Sequence, residues 1–239
     1  MKVKKYTAAS RGFINHGWLQ ANYSFSFSSY FDPERVQFGK LRVLNDDLIA
    51  PSMGFGKHPH KNMEIITIPL GGELKHKDSM SNEWLYVKPN EVQVMSAGTG
   101  IFHSEMNALS DKHLSLFQIW IMPNEDEVTP RYNQASFDPS ERKNKLQILV
   151  SDIDDKNVNG LKLHQNAQIS RIDLDENSDF TYMLKSKNNG VYVMNISGAF
   201  SIENEEASSR DALTVEDVDD FKISSKTASE ILFIEVPMQ

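Results

Sequence analysis

Apolar residues recur at alternate positions in short runs along this chain, and the runs end on turn residues. MEIITIPL (63–70) alternates and stops at Gly71-Gly72. EWLYVKPNEVQVM (83–95) reads as two short strands hinged at Pro89-Asn90-Glu91, where Asn90 tolerates left-handed backbone. LSLFQIWIMP (114–123) is a β-run closed by Pro123, and KLRVLNDD (40–47) is a shorter one that Asn45, Asp46 and Asp47 are expected to stop. Period two puts one set of side chains on a core face and the other on the opposite face.

The rhythm changes over PNEDEVTPRYNQASFDPSERKNK (123–145), which is polar and carries three prolines. It then returns in LQILVSD (146–152), LKLHQNAQISRIDL (161–174), GVYVMNISGAFSIENE (190–205) and SEILFIEVP (229–237). NISGAFSI predicts two strands about Ser197-Gly198, and 177–190 reads as strand and loop. Long amphipathic helices do not emerge. Many short strands with turn residues between them predict an all-β fold, sandwich or barrel. The polar stretch divides it into an N-terminal unit over 1–133, a linker over 134–145 and a C-terminal unit over 146–239.

Composition narrows the chemistry. The 239 residues include no cysteine, which excludes disulfides, thiolate metal sites, iron–sulfur clusters and a cysteine nucleophile. A net charge of −8 discourages direct attraction to nucleic acid or to anionic membranes. MKVKK at the start is basic, but no apolar stretch follows it, so no signal peptide is expected. A cytoplasmic address is the expectation, with neither a nucleic-acid nor a membrane partner. VEDVDD (215–220) lacks the glycine and spacing of a calcium loop and reads as solvated charge.

Two of the seven histidines, His58 and His60, stand two apart in GFGKHPHKNMEI, and His103 and Glu105 stand two apart in SAGTGIFHSEMN. On a strand, positions two apart share a face. Two neighbouring strands would then aim four nitrogen and oxygen donors at one ion. Pro59 cannot donate to a sheet ladder, so the first pair belongs at an edge or a strand end. Gly54, Gly56, Gly98 and Gly100 permit close approach. A single histidine on an apolar strand is usually a core or surface residue, and one His-x-His pair arises by chance. Both pairs together, each led in by glycines, favour the metal. Glu64 is a rival for the carboxylate: it lies four residues past His60, roughly 13 Å along a straight strand, and reaches the ion only if the chain bends at Lys61-Asn62. His16, His76 and His113 read as structural or surface residues, although the strand of His76 leads back toward the site. Gln118 and Trp120 alternate with Phe117 and Ile119, and one of these faces must line the first unit. Three neutral imidazoles and one carboxylate leave a divalent ion with net positive charge and, in octahedral geometry, two open positions.

The spacing from His58 and His60 to Glu64 and Gly71, and from Gly100 to His103 and Asn107, resembles the two motifs of cupins, small β-barrels. Ser52 stands where the first motif has glycine, and Val92 and Gly98 stand where the second has glycine and proline. The longer strings NHGWL, FSFSSYFDP, GFGKHPHKNMEI, HKDSMSNEW, VQVMSAGTGIFHSEMN, LFQIWIMP and TPRY resemble the pirin family across most of residues 10–133. That resemblance implies two tandem jelly-roll-like cupin β-barrels, with metal only in the first. The family's three histidines and one glutamate fall here on His58, His60, His103 and Glu105. The C-terminal half has only His164, which fits an empty second barrel. The ion implied is Fe(II); Ni, Cu, Co, Mn and Zn are alternatives for such donors. The implied activity is that of a quercetin 2,3-dioxygenase, taking an aromatic flavonol and O2 and releasing carbon monoxide, with Glu105 as the catalytic base. A second implication is a non-enzymatic metal- and redox-sensing regulator that acts through protein partners. A third is hydrolysis or isomerisation by zinc in the same barrel.

Overall fold

The computed structural model describes residues 1–81 and 83–239; Asn82, within HKDSMSNEW, lies outside the described residues. The N-terminal part runs through β1 (Lys2–Tyr6), β2 (Gly12–Asn15), β3 (Leu19–Tyr23), β4 (Leu41–Ile49), β5 (Gly54–His60), β6 (Glu64–Gly71), β7 (Leu74–Asp78), β8 (Leu85–Val87), β9 (Glu91–Ser96), β10 (Ile101–Asn107), β11 (Leu114–Ile121) and β12 (Arg131–Ser136). The C-terminal part continues with β13 (Gln147–Asp152), β14 (Leu161–Leu163), β15 (Gln168–Leu174), β16 (Asp179–Met183), β17 (Asn189–Ser197), β18 (Phe200–Ile202), β19 (Glu205–Ala207), β20 (Ala212–Glu216), β21 (Asp220–Ser225) and β22 (Ser229–Pro237). Among the described residues, helix is confined to two short 3-10 turns, Ala8–Ser10 and Pro139–Arg142. Among the described residues, no helix is long and apolar enough to cross a membrane.

Each half is a jelly-roll-like sandwich of a seven-stranded and a four-stranded sheet. The N-terminal orders are β12-β9-β6-β11-β4-β3-β2 and β5-β10-β7-β8; the C-terminal orders are β1-β20-β17-β22-β15-β13-β14 and β16-β21-β18-β19. This is the tandem cupin plan, with open sheet pairs in place of closed rings. The first strand crosses over: β1 pairs with β20, Val3 opposite Val215, and so belongs to the sheet of the other half. The polar crossing is also partly ordered, since β12 extends the N-terminal sheet to Ser136 and the Asp138 carboxylate caps the following turn at Ser140 N, 2.9 Å away.

The two seven-stranded sheets pack back to back. Ile66, Ile68, Phe117 and Ile119 from one meet Val150, Ile169, Tyr192 and Leu232 from the other in a single buried cluster. Strands buried on both faces read as continuous apolar runs, which is why β6 and β17 carry few polar residues. Each fully buried aliphatic or aromatic side chain there contributes about 1.5–3 kcal/mol.

One expectation is corrected. β4 does not stop at Asn45: pairing with β3 and β11 on either side carries it to Ile49, and Asp46 is held by Arg11 at 3.2 Å and Arg210 at 3.5 Å. Tertiary pairing here overrides the turn preference of Asn and Asp. In VEDVDD the charge is solvated as expected, with Asp217, Asp219 and Asp220 exposed, while Val215 is buried on β20, Asp217 makes the turn at φ +59° and β21 starts at Asp220. Asn90 does adopt the left-handed backbone, at φ +68°. Ser52, at the motif's glycine position, also holds a glycine-like φ of +59°.

Candidate metal centre

β5 is the edge strand of its sheet, where Pro59 costs no ladder bond. It runs antiparallel to β10 with His58 opposite His103 and His60 opposite Ile101. Next, Phe55 stands opposite Glu105, so three steps on β5 span two on β10. That mismatch is a β-bulge around Gly56 and Lys57. It turns Phe55 and His58 to the same interior despite their odd separation. A Cβ at Gly54 would lie 2.2 Å from the Glu105 carbonyl oxygen, so only glycine lets the strands approach this closely. On β10 the buried residues alternate, placing His103 and Glu105 inside and Phe102 outside.

The three histidines come together, and Glu105 joins His103 and His76 in a second, adjoining group of donors. His58 Nε2 and His103 Nε2 are 2.9 Å apart, and the ring centroids of His58, His60 and His103 lie 4.3–4.8 Å from one another. His58 donates from Nδ1 to the Gly56 carbonyl at 2.8 Å, which leaves its Nε2 lone pair facing inward. His60 Nε2 is buried and has no protein partner. Burial, with the neighbouring His58, pushes the His60 imidazole down to about 4. Burial likewise takes His103 down to about 3, against the pull of Glu105. Burial by itself would raise the Glu105 carboxyl, but the surrounding imidazoles of His76, His103 and His58 outweigh it and hold it at about 2.

Neutral imidazoles beside an ionised carboxylate are the protonation states a metal ligand requires. A cis pair of nitrogens about 2.1 Å from one ion stands about 3 Å apart, close to the observed nitrogen spacing. The donor set therefore suits a divalent cation with nitrogen and oxygen preference.

The supporting contacts include residues that the sequence pattern does not single out. Thr67 Oγ1 donates to Glu105 Oε1 at 3.3 Å, and Gln118 Nε2 donates to Oε2 at 3.1 Å. Trp120 Nε1 donates to Gln118 Oε1 at 3.3 Å, and its ring meets His60 edge-on at 4.8 Å. Gln118 and Trp120 are thus the pair that faces the site, while Phe117 and Ile119 fill the core between the sandwiches. His76 is more than structural filler. It is fully buried, with Nε2 3.2 Å from Asp78 Oδ2 and Nδ1 3.9 Å from Glu105 Oε1. His16 and His113 are exposed.

Glu64 does not join the four. It lies on the face of β6 opposite Thr67, accepts from Ser96 Oγ at 2.8 Å and sits near Arg131; burial pushes its carboxyl up to about 6.

His58, His60 and Glu105 form one wall of a cavity of about 470 Å³. Trp18, Phe27, Phe55 and Trp120 supply aromatic walls, with Trp18 and Phe55 edge-to-face at 5.1 Å and Phe27 and Trp120 at 5.3 Å. Asn45 and Asp47 of β4 complete the lining. This is a mostly apolar chamber with a few convergent polar groups, the usual form of a small-molecule site.

The pirin family model matches residues 4–121, and a model described as "Quercetinase C-terminal cupin domain" matches residues 148–236. The chain is 41% identical over 230 residues to a quercetin 2,3-dioxygenase of Escherichia coli (strain K12), covering 96% of each sequence. It is 35% identical to a pirin-like protein of Caulobacter vibrioides, covering 94% of this chain and 95% of that one. The crystal structure of the bacterial pirin YhhW from Escherichia coli in complex with nickel(II) superposes with a TM-score of 0.91, at 38% identity and 99% coverage of both chains.

Proposed function

This chain belongs to the pirin family, and on that premise we propose that it is a metal-dependent oxidoreductase that cleaves a flavonol such as quercetin with O2. The observation that carries the reading is the cluster of His58, His60 and His103, with Glu105 grouped beside His103, next to an aromatic-lined cavity that His58, His60 and Glu105 line. His58, His60, His103 and Glu105 are the proposed ligands, and Fe(II) is the proposed ion. The N-terminal unit, to about residue 133, is the proposed metal-bearing half, and the C-terminal unit, from 146, is proposed to hold none. The reading includes a cytoplasmic address and no nucleic-acid partner.

A divalent ion held by these ligands would supply the Lewis acidity that acidifies a bound hydroxyl and the redox partner that O2 requires. The chain does the rest. The aromatic walls take a flat ring system and exclude water from it. Glu105, ionised and held at both oxygens by Thr67 and Gln118, is the proposed acceptor of the flavonol 3-hydroxyl proton. Loss of that proton raises electron density in the central ring, the part that O2 attacks. Both oxygen atoms enter the product, the two ring bonds to C3 break, and C3 leaves as carbon monoxide. The room beside the donors favours this over the regulatory alternative, since a sensor of redox state needs no room for a substrate.

Iron-loaded protein prepared without oxygen should, on mixing with quercetin and O2, bleach the flavonol's visible absorbance. It should release carbon monoxide in equal amount to the O2 consumed. No turnover with iron, nickel, cobalt, manganese or copper would remove quercetin as a substrate.

A further inference from the structure

Both halves of the molecule bury a carboxyl group deep in a sandwich, and they treat it differently. Glu235, fully buried on β22, meets four donors: Tyr182 Oη at 3.0 Å, Lys185 N at 2.8 Å, Ser186 N at 3.2 Å and Asn189 Nδ2 at 2.9 Å. Asp47 is 5% exposed and Asn45 is 4% exposed, yet Oδ1 of each has no protein partner. The cause lies in the sheet. Across the ladder Asp47 stands between Ala21 and Leu116, which offer no polar side chain. Asn45 stands beside Gln118, but that amide is already engaged with Thr67, Glu105 and Trp120.

A buried polar group left unpaired is costly, and such groups persist where a ligand supplies the partner. Asn45 and Asp47 both line the cavity from β4, a different strand from those bearing the proposed metal ligands. The aromatic side chains lie in the same lining. Burial, with Asp46 and Glu105 nearby, pushes the Asp47 carboxyl up; in either protonation state it keeps a free acceptor for a ligand O–H. Asn45 offers an amide donor and acceptor. The lining is thus two-ended in chemistry, with a cation-holding wall and a hydrogen-bonding pair.

We propose that Asn45 and Asp47 form a second recognition subsite, which binds a hydroxyl of the substrate remote from its metal-facing oxygen and selects polyhydroxylated planar aromatics over their deoxygenated analogues. The subsite rests on the flavonol reading above and fixes which end of the ring system faces the donors. Asn45 and Asp47 are positioning and specificity residues, without a share in the proton transfer assigned to Glu105.

The test is anaerobic binding to metal-loaded protein, read by quenching of tryptophan fluorescence, since Trp18 and Trp120 line the cavity. The probes are quercetin and 3-hydroxyflavone, which keeps the metal-facing hydroxyl and lacks the others. Wild type should prefer quercetin by about tenfold or more, a preference that Asp47→Leu and Asn45→Leu should each reduce to about twofold or less. Asp47→Asn, which retains a donor and an acceptor, should restore most of the preference, a rescue that a purely structural role would not produce. Binding of both compounds without a preference, or a preference that survives both leucine variants, overturns the subsite and leaves the flavonol reading standing. Failure of wild type to bind either compound overturns both.

Discussion

In the N-terminal four-stranded sheet β10 turns His103 and Glu105 to the interior; β21, in the same place in the C-terminal sheet, turns in Phe221 and Ile223. The fifth strand of each large sheet differs in the same way: β4 presents Asn45 and Asp47, and β15 presents Ile172 and Leu174. The C-terminal interior is closed by ring stacking of Tyr182 on Phe233 at 4.7 Å and on Phe221 at 5.3 Å. One plan is filled with apolar side chains, and the other is hollowed and lined with polar ones. Polar side chains that must keep a free end cannot interdigitate as Phe and Ile do, so a chamber remains. The apolar half, and the apolar seam it shares with its neighbour, then stabilise a domain whose own interior is given over to chemistry.

The largest expected effect breaks the comparison at the donors. His58→Ala or His103→Ala should remove most bound metal, beyond the roughly 10–100-fold loss typical of outer partners. Both variants should stay folded, because the cluster between the sandwiches does not involve these rings. Elemental analysis beside a thermal melt checks this, and full metal content in both variants would refute the ligand assignment. Next in size, Glu105→Gln should keep part of the metal and lower kcat by about 10²–10⁴-fold. Unchanged turnover in that variant would mean that the base is elsewhere.

How much of this was legible from the sequence depends on the range of each cause. His58 with His60, and His103 with Glu105, declare a shared face through spacing alone, because strand alternation is local. The tandem all-β plan follows from the same periodicity. The bulge that brings Phe55 into line with His58 is set by the partner strand and leaves no mark beyond Gly56. Asn45 and Asp47 look like strand stops because their side chains favour turns, and only the flanking β3 and β11 show that the strand continues. His76 carries no spacing signal toward Glu105, since the two meet across the β7–β10 ladder. The pairing of β1 with β20 joins residues more than two hundred positions apart. Its basic KVKKY pattern advertises no partner.

A change on the filled side sharpens the contrast from the other direction. Phe233→Ala should cost about 3–5 kcal/mol of stability, because the ring sits fully buried against Tyr182 and the cavity cannot close over it. Metal content at equal folded protein should be unchanged. A variant that lost stability and metal together would show that the halves are coupled through the seam more tightly than their separate interiors suggest.

The smallest effect concerns the buried Asp47 carboxyl, whose Oδ1 has no protein partner among the described residues. Asp47 is held up to about 8 in the folded protein against an ordinary 3.8, mainly by burial. Between those values the unfolded chain has released a proton that the native state keeps, so the native state binds more protons and stability falls as pH rises. The contribution is fully present below about pH 4, declines through the interval by up to about 1.4 kcal/mol per pH unit, and stops changing above about pH 8. Asparagine cannot titrate, so in metal-free protein the stability of Asp47→Asn relative to wild type should climb from pH 5 to pH 7. Denaturant melts at several pH values measure that slope. A difference independent of pH would mean that Asp47 is already ionised in the native cavity. Loading a divalent ion against Glu105 should flatten the slope, since positive charge on that wall favours the ionised carboxyl.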